Sequence, residues 1–246
     1  NLDPKHLSGN VPIHLNGSVI HDGVIYIGQS KVGMLAIEER DGAVIWKSNE
    51  GDRFNSSPVI YNEHVIYGTE SGRLFSRRLD TGELNYEIEV GASVDGNPII
   101  FEGRLFVQLR NHQIFAMDAS TGKILWSHKK AITSNTTIQR VGTGFAKENY
   151  VYFGFADGDL LAFRKETGEV AWSKKVGKQR NKFFDLDFPI LDLNNRLVTT
   201  DASGKIVYMN FKTGEIEQEL VVDATTNLLV LGDKIIFGDL WGNIKT

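Results

Sequence analysis

The sequence predicts an all-β fold, a β-propeller built from four-stranded antiparallel blades. The first observation behind this prediction is a repeated segment, which reads AMDASTGKILW between Ala116 and Trp126. It recurs from Ala36 to Trp46 and from Ala162 to Trp172, and weaker copies run from Ser76 to Tyr86 and from Tyr208 to Gln218. Self-similarity at a fixed period is the sequence signature of a repeat architecture.

The second observation is the length of the period, which is measured between the turn glycines of the five copies. These glycines are Gly42, Gly82, Gly122, Gly168 and Gly214. They lie 40, 40, 46 and 46 residues apart. About 40–45 residues is the span of one four-stranded propeller blade, so each period predicts one blade.

The third observation is that each period divides into four short strands. In the second period these are residues 58–61, 64–67, 73–76 and 83–86, which are rich in β-branched and aromatic residues. Such runs, bounded by Gly, Asn and Asp, are typical of strands joined by tight hairpins.

The Thr-Gly or Asp-Gly turn between the third and fourth strands has a predictable structure. The Asp or Thr oxygen can accept hydrogen bonds from nearby backbone amides, while glycine takes the left-handed conformation. A tryptophan follows four residues later in three copies, as Trp46, Trp126 and Trp172. We predict that these rings pack between blades and that each indole N–H reaches a carbonyl oxygen.

The repeat covers about residues 16–246, and we interpret 1–246 as one propeller domain with five full blades and part of a sixth. The sixth period stops at Thr246, inside its third strand. Because a propeller closes its ring to remove open sheet edges, either the N-terminal segment, with the weak strand 11–15, completes the last blade or further blades follow. The chain starts at Asn1 rather than Met, which favours a mature or trimmed form, and the interrupted sixth period favours a chain that is incomplete on its C-terminal side.

Composition excludes several function classes. The formal net charge is −4, which argues against a nucleic-acid partner. There is no cysteine, so disulfides, cysteine-ligated zinc and thiol catalysis are excluded. The six histidines show no metal-ligand spacing, and no nucleophile elbow or phosphate-binding loop is present. We therefore predict no catalytic residue, no resident metal and no cofactor.

The repeated segment resembles the PQQ-like repeat family, whose members are propellers. Quinone-dependent dehydrogenases carry the same repeat and hold their quinone with a calcium ion, a tryptophan and, in many members, a vicinal disulfide. Asp185 and Asp187 could ligate calcium through oxygen atoms, but no further carboxylate clusters with them in the sequence.

The stretch FDLDFPIL, from Phe184 to Leu191, resembles a loop of the B lipoprotein subunit of the bacterial outer-membrane β-barrel assembly machinery. That family has an Asp-x-Asp-x-x-Pro loop before a blade, and Asp185 and Asp187 match its acids, with one residue fewer before Pro189. A second family loop, Leu-x-Leu-Arg, corresponds to residues 137–140. Arg140 fits there, whereas Thr137 and Gln139 replace the two leucines.

This resemblance implies an eight-bladed, non-enzymatic scaffold at the periplasmic face of the outer membrane of a Gram-negative bacterium, anchored by a lipid that lies outside this chain. Its implied partners are the periplasmic domains of the central barrel protein, contacted through Asp185, Asp187, Arg140 and Gln139, and unfolded outer-membrane proteins. The alternative interpretation of the two aspartates is a turn in which each caps backbone amides. A quinone-dependent dehydrogenase and the sensor domain of a membrane kinase remain alternative functions.

Overall fold

In the computed structural model the chain forms six antiparallel sheets that follow one another along the sequence. The structure describes residues 17–132, 142–176 and 191–246, except residues 202, 225, 227, 233 and 240. Five sheets have four strands and the sixth has three, each in simple sequential order. The predicted all-β fold, with five full blades and part of a sixth, is therefore confirmed.

Blades 1 to 3 contain twelve strands. Their bounds are β1 (Ser18–His21), β2 (Val24–Gln29), β3 (Gly33–Glu38), β4 (Val44–Lys47), β5 (Val59–Tyr61), β6 (His64–Gly68), β7 (Arg73–Arg78), β8 (Leu84–Glu89), β9 (Ile99–Phe101), β10 (Arg104–Gln108), β11 (Gln113–Asp118) and β12 (Ile124–Lys129). The predicted fourth strand of blade 2 stops too early at residue 86. The observed strand continues to Glu89 because its register with β7 runs on to the pair Arg73 and Glu89.

Blades 4 to 6 contain the remaining strands. Their bounds are β13 (Phe145–Lys147), β14 (Tyr150–Gly154), β15 (Asp159–Arg164), β16 (Val170–Lys175), β17 (Leu191–Leu193), β18 (Arg196–Thr200), β19 (Lys205–Asn210), β20 (Ile216–Val221), β21 (Leu229–Leu231), β22 (Lys234–Gly238) and β23 (Ile244–Lys245). The first strands of blades 1 to 4 contact one another in succession, so they are the inner strands and the fourth strands lie at the rim.

The strand order defines two faces of the row of blades. On one face lie the turns between first and second strands and the Thr-Gly or Asp-Gly turns between third and fourth strands; we call it the turn face. On the other lie the turns between second and third strands and the strand ends from which the chain leaves each blade for the next; we call it the connection face. The connections span 48–58, 90–98, 130–144, 176–190 and 222–228.

The hydrophobic core is divided among the contacts between neighbouring blades. Five clusters of buried side chains occur, one for each pair of adjacent blades. Between blades 3 and 4, for example, Phe106 and Trp126 pack with Phe153 and Phe163. Since each blade buries its apolar faces against its neighbours, stability depends on contacts between blades as well as within them.

The turns between third and fourth strands have the predicted hydrogen bonds. In blade 3, the Thr121 hydroxyl accepts a bond of 3.3 Å from the Lys123 amide, and the Gly122 amide donates to the Asp118 carbonyl oxygen at 2.8 Å. A β-bulge follows at the same place in all five full blades. The repeated sequence thus specifies a repeated local geometry on the turn face.

Candidate functional site

The three repeat tryptophans lie between neighbouring blades. The Trp46 indole N–H donates to the Leu79 carbonyl oxygen at 2.7 Å, and its ring lies against Gly82 in the next blade. Trp126 donates to Lys165 at 2.8 Å and lies against Gly168. Trp172 donates to Phe211 at 3.2 Å and lies against Gly214.

Each of these contacts joins the rim strand of one blade to the Thr-Gly turn of the next. Trp46 and Trp126 are each 8% exposed, so their rings are almost completely removed from water. A Cβ atom on Gly168 would lie only 2.6 Å from the Trp126 ring. The turn glycine therefore leaves the space that the tryptophan of the preceding blade occupies.

Tyr86 makes the corresponding contact between blades 2 and 3, which was predicted only for the three tryptophans. Its hydroxyl donates to the Ala119 carbonyl oxygen at 3.2 Å, and a Cβ on Gly122 would lie 3.0 Å from its ring. Its place in the repeat, four residues after Gly82, was the available signal. Blade 5 has an exposed Gln218 at this position.

The predicted partner-binding residues Asp185, Asp187, Arg140 and Gln139 lie outside the residues that the structure describes. The strands that flank them do locate the two connections. β12 ends at Lys129 and β16 ends at Lys175, so both connections begin on the connection face of adjacent blades. They span 15 residues each, against nine for 90–98, which explains the longer period of 46 residues.

A charged network joins the beginnings of these two long connections. Lys130, the first residue of one connection, bonds to Asp157 and, at 2.7 Å, to Asp159 in the second turn of blade 4. Lys175, the last residue before the other connection, lies 3.4 Å from Asp159 and donates to the Asp157 carbonyl oxygen. The beginnings of both connections are therefore attached to residues 157–159 of blade 4.

This part of the interface between blades 3 and 4 also contains two histidines with shifted protonation. The His128 ring lies 4.8 Å from the Phe163 ring, and the His112 ring lies 6.3 Å from the Phe155 ring. Burial lowers the pKa of both histidines, and the ammonium of Lys130 lowers both further, while Asp157 partly opposes the shift at His112. Both imidazoles are thus biased toward the neutral form.

The interface between blades 1 and 2 contains a buried ion pair where the next interface is apolar. The Glu50 carboxylate, 1% exposed, lies 3.0 Å from the Arg77 guanidinium. Burial alone raises the pKa of Glu50, but bonds from Ser48 and Tyr67 and the charge of Arg77 hold it below its usual value. Arg77 also donates to the Gly82 carbonyl oxygen at 2.9 Å, so it supports the turn on which Trp46 lies.

Within the described ranges, no group of three or more His, Cys, Asp or Glu side chains is arranged to hold a metal ion. In the same ranges, no helix has the length and apolar character of a membrane span.

An open pocket of about 370 Å³ lies on the turn face between blades 1 and 2. Its one arginine, Arg78, is held by Asp80 through bonds of 2.9 and 3.0 Å.

A family profile described as outer membrane protein assembly factor BamB matches residues 28–244. The chain belongs to this family. BamB of Yersinia pestis is 25% identical over 241 residues, which cover 90% of this chain and 58% of that protein. The crystal structure of BamB from Moraxella catarrhalis superposes with a TM-score of 0.81 at 20% identity, covering 94% of this chain and 72% of that one.

In sequence, quinoproteins match a shorter part of the chain than the BamB proteins do. The quinoprotein alcohol dehydrogenase PedH of Pseudomonas putida is 32% identical over 128 residues, which cover 48% of this chain and 21% of the enzyme. The chain spans 58% of the length of the Yersinia pestis BamB. The family profile and the similarity to the BamB proteins confirm the resemblance to the PQQ-like repeat and BamB families.

Proposed function

We propose that this protein is a non-enzymatic scaffold subunit of the machinery that assembles β-barrel proteins in the outer membrane, acting at the periplasmic face of that membrane. Its proposed partner is the periplasmic part of the machinery's central barrel protein, and unfolded outer-membrane proteins are a second proposed ligand. Membership of the BamB family supports this function.

The observation that carries the proposal is that the beginnings of the two long connections are attached to the same few residues of blade 4. Lys130 and Lys175 attach their beginnings to the single turn 157–159 of blade 4. Loops that start from one place on a rigid scaffold can contact one partner together. We propose that Asp185 and Asp187 from one connection, with Arg140 and Gln139 from the other, make charge-assisted bonds to that partner.

The test is a pull-down of the central barrel protein's periplasmic domains by an Asp185→Ala/Asp187→Ala variant. Removing one side of a buried interfacial charge pair costs roughly 2–5 kcal/mol of binding, so we expect capture to be lost while the melting temperature stays that of the parent chain. A matched control is Asp22→Ala/Asp41→Ala on the turn face, whose side chains are 91% and 52% exposed.

Undiminished capture by the first variant would remove the site from these aspartates. Loss of folding in that variant would instead mean that the two carboxylates cap a turn. An Arg140→Ala/Gln139→Ala variant tests the second connection separately, and retained capture there would restrict the site to the aspartate loop.

A quinone-dependent activity is the second candidate, because the dehydrogenases share the repeat. Against it, each of the three repeat tryptophans already lies against a glycine turn of the next blade, with its indole N–H bonded to a carbonyl oxygen there. We expect that adding the quinone with Ca²⁺ changes neither the absorption spectrum of the quinone nor the melting temperature. A shifted spectrum with a raised melting temperature would favour the dehydrogenase.

A further inference from the structure

The open pocket between blades 1 and 2 differs from the corresponding place between blades 3 and 4. Its volume of about 370 Å³ falls in the range of ligand-binding pockets, which is about 300–1,000 Å³. Its apolar lining consists of Val24, Tyr26, Ile45 and Leu79. Between blades 3 and 4, charged side chains occupy the same place.

The tryptophan contacts establish which residues of the two turns correspond. In each case the rim-strand tryptophan donates its indole N–H to one carbonyl oxygen of the next blade, that of Leu79 in blade 2 and that of Lys165 in blade 4. Leu79 therefore corresponds to Lys165. The residues that follow them, Asp80 and Glu166, correspond as well.

The first hairpins of blades 1 and 3 can be matched in the same way. The second strands begin at Val24 and at Arg104, so these two residues correspond. Two positions earlier, Asp22 and Glu102 each have a left-handed backbone, with φ angles of +48° and +47°. Asp22 in the first hairpin therefore corresponds to Glu102 in the third.

Two ion pairs fill this place between blades 3 and 4. Arg104 pairs with Glu166, and Lys165 pairs with Glu102. The Lys165 side chain is only 7% exposed, so its stem is packed within the contact. Between blades 1 and 2 the residues that correspond to both cations are apolar, while both acids are retained. The pocket therefore lies where two cationic side chains lie between blades 3 and 4.

The pocket lining is negatively charged. With histidine counted as neutral, its ionised groups are three carboxylates, Asp22, Glu63 and Asp80, against the one guanidinium of Arg78, a net charge of −2. Arg78 is bonded to Asp80 at 2.9 and 3.0 Å and lies 3.5 Å from Glu63. Burial raises the pKa of the Tyr26 hydroxyl, and the charges of Asp22 and Asp80 raise it further. Both aspartates therefore act on the buried floor of the pocket.

The remaining two contacts between full blades do not have this combination. Between blades 2 and 3, Asn62 and Ser120 take the places of the two acids. Between blades 4 and 5 the acid of the hairpin is Glu148, and Lys212 of the next blade lies 3.4 Å from it. Among the four contacts between full blades in the described part of the chain, the first alone keeps both acids and replaces both cations by apolar residues.

We infer that this pocket binds a lysine side chain of a partner polypeptide, with the ammonium beside Asp22 and Asp80 and the methylene stem against Val24 and Ile45. A lysine side chain joins an apolar stem to a cationic head, and Ile45 is 46% exposed in the pocket. A hard metal ion would need oxygen ligands on every side, whereas these walls are apolar. The site lies on the turn face and is independent of the proposed partner site.

The test titrates the full chain with a fluorescent peptide in which one lysine lies between two valines. Two further peptides carry norleucine, which keeps the apolar stem and removes the charge, or glutamate in place of the lysine. We expect the lysine peptide to bind at least about tenfold more tightly than either. Equal binding of the norleucine and lysine peptides would overturn the inference, because the acidic rim would then have no part in recognition.

Removing the two acids should weaken binding of the lysine peptide. We expect a loss of about tenfold or more in Asp22→Asn/Asp80→Asn, and asparagine tolerates the left-handed backbone at residue 22. The control Glu215→Gln/Glu217→Gln removes two negative charges from exposed residues of blade 5 and should leave binding within about twofold. Equal effects of the two double variants, or undiminished binding by the first, would contradict the inference.

A graft tests the same site in the opposite direction. Val24→Arg/Leu79→Lys copies the contact between blades 3 and 4, so the new cations should pair with Asp22 and Asp80. We expect it to abolish binding of the lysine peptide without lowering the melting temperature. Undiminished binding by the folded graft would overturn the inference. So would a dimer that the parent chain forms and the graft loses while no peptide binds, because a second copy of the chain would then be the occupant.

The two binding sites can be tested separately. The Asp22→Ala/Asp41→Ala variant should lose the lysine peptide and keep capture of the barrel protein's periplasmic domains. The Asp185→Ala/Asp187→Ala variant should do the reverse. Failure of the proposed partner site and failure of the lysine pocket are therefore distinguishable.

Discussion

The turn around Gly42 in blade 1 and the turn around Gly168 in blade 4 have the same backbone and different surroundings. Their φ angles are +75° and +74°. A Cβ at Gly42 would meet no atom within 4 Å, whereas at Gly168 it would lie 2.6 Å from the Trp126 ring. The glycine of the repeat therefore has two roles, a left-handed turn in every blade and, where a blade precedes it, space for an aromatic ring.

The difference shows that the repeat encodes contacts between blades as well as the shape of each blade. The tryptophan and the glycine that it covers are in different copies of the repeat, about one period apart. Blade 1, which no described blade precedes, keeps the left-handed turn at Gly42 but has no aromatic ring against it. Several changes can separate the two roles, and their expected effects on the free energy of unfolding differ in size.

Removing the ring should have the largest effect. Trp126→Ala deletes a buried side chain and its bond to the Lys165 carbonyl oxygen, and we expect it to lower the free energy of unfolding by about 3–5 kcal/mol. Trp241→Ala is the control, since that side chain is 69% exposed. Chemical denaturation followed by far-UV circular dichroism measures both, and equal losses would show that burial between blades is not the cause.

Breaking the ion pair of Glu50 and Arg77, next to the contact of Trp46 with Gly82, should have the next largest effect. Arg77→Met leaves the Glu50 carboxylate buried without its cation, which typically costs about 3 kcal/mol. At the interface between blades 2 and 3 the corresponding residues are Val90 and Met117, both buried. The double variant Glu50→Val/Arg77→Met copies that interface and should recover most of the loss. A double variant as unstable as Arg77→Met would mean that Arg77 acts by supporting the Gly82 turn instead.

Alanine at the two compared glycines gives a smaller and more direct measurement. Gly42→Ala introduces only left-handed strain, about 1–2 kcal/mol. Gly168→Ala adds the collision with the Trp126 ring and should be clearly more destabilising. The same denaturation curves measure both, and the difference should disappear when both alanines are made in a Trp126→Ala background. A difference that persists there would assign it to the turn and not to the ring.

The sequence was sufficient for the regular part of the fold, because the repeat reports local geometry. Turn glycines, Thr or Asp before them and short runs rich in β-branched and aromatic residues predicted the blades and their number. Tyr86 was missed because it forms the same contact through a hydroxyl and so departs from the motif. The ion pair of Glu50 and Arg77 was missed because its two residues belong to different blades and Glu50 lies outside the repeated segment.

The candidate site could be predicted only in part. The change in period from 40 to 46 residues locates the two long connections from sequence alone. The network of Lys130, Asp157, Asp159 and Lys175 could not be predicted, since it depends on the second turn of blade 4 meeting a residue just after β12 and the last residue of β16. Residues that share no period and no motif are brought together only by the packing of neighbouring blades.

The smallest expected effect concerns pH at the interface that Trp126 occupies. His112 and His128 have pKa values below the ordinary value of about 6.5 because of burial and the nearby Lys130 ammonium. Between the lowered pKa and 6.5 the unfolded chain binds more protons than the folded chain, so stability falls as the pH falls through this range. Above about pH 6.5 this contribution is fully present.

We expect the melting temperature to decrease from pH 7 to pH 5, and the decrease to be smaller in His112→Gln/His128→Gln. At the interface between blades 2 and 3, with Tyr86 in place of tryptophan, the residues one period before these histidines are Gly72 and Ile88. If the double variant lost stability over this range as steeply as the parent chain, carboxylates elsewhere would account for the pH dependence, and the two interfaces would differ only in their aromatic residue.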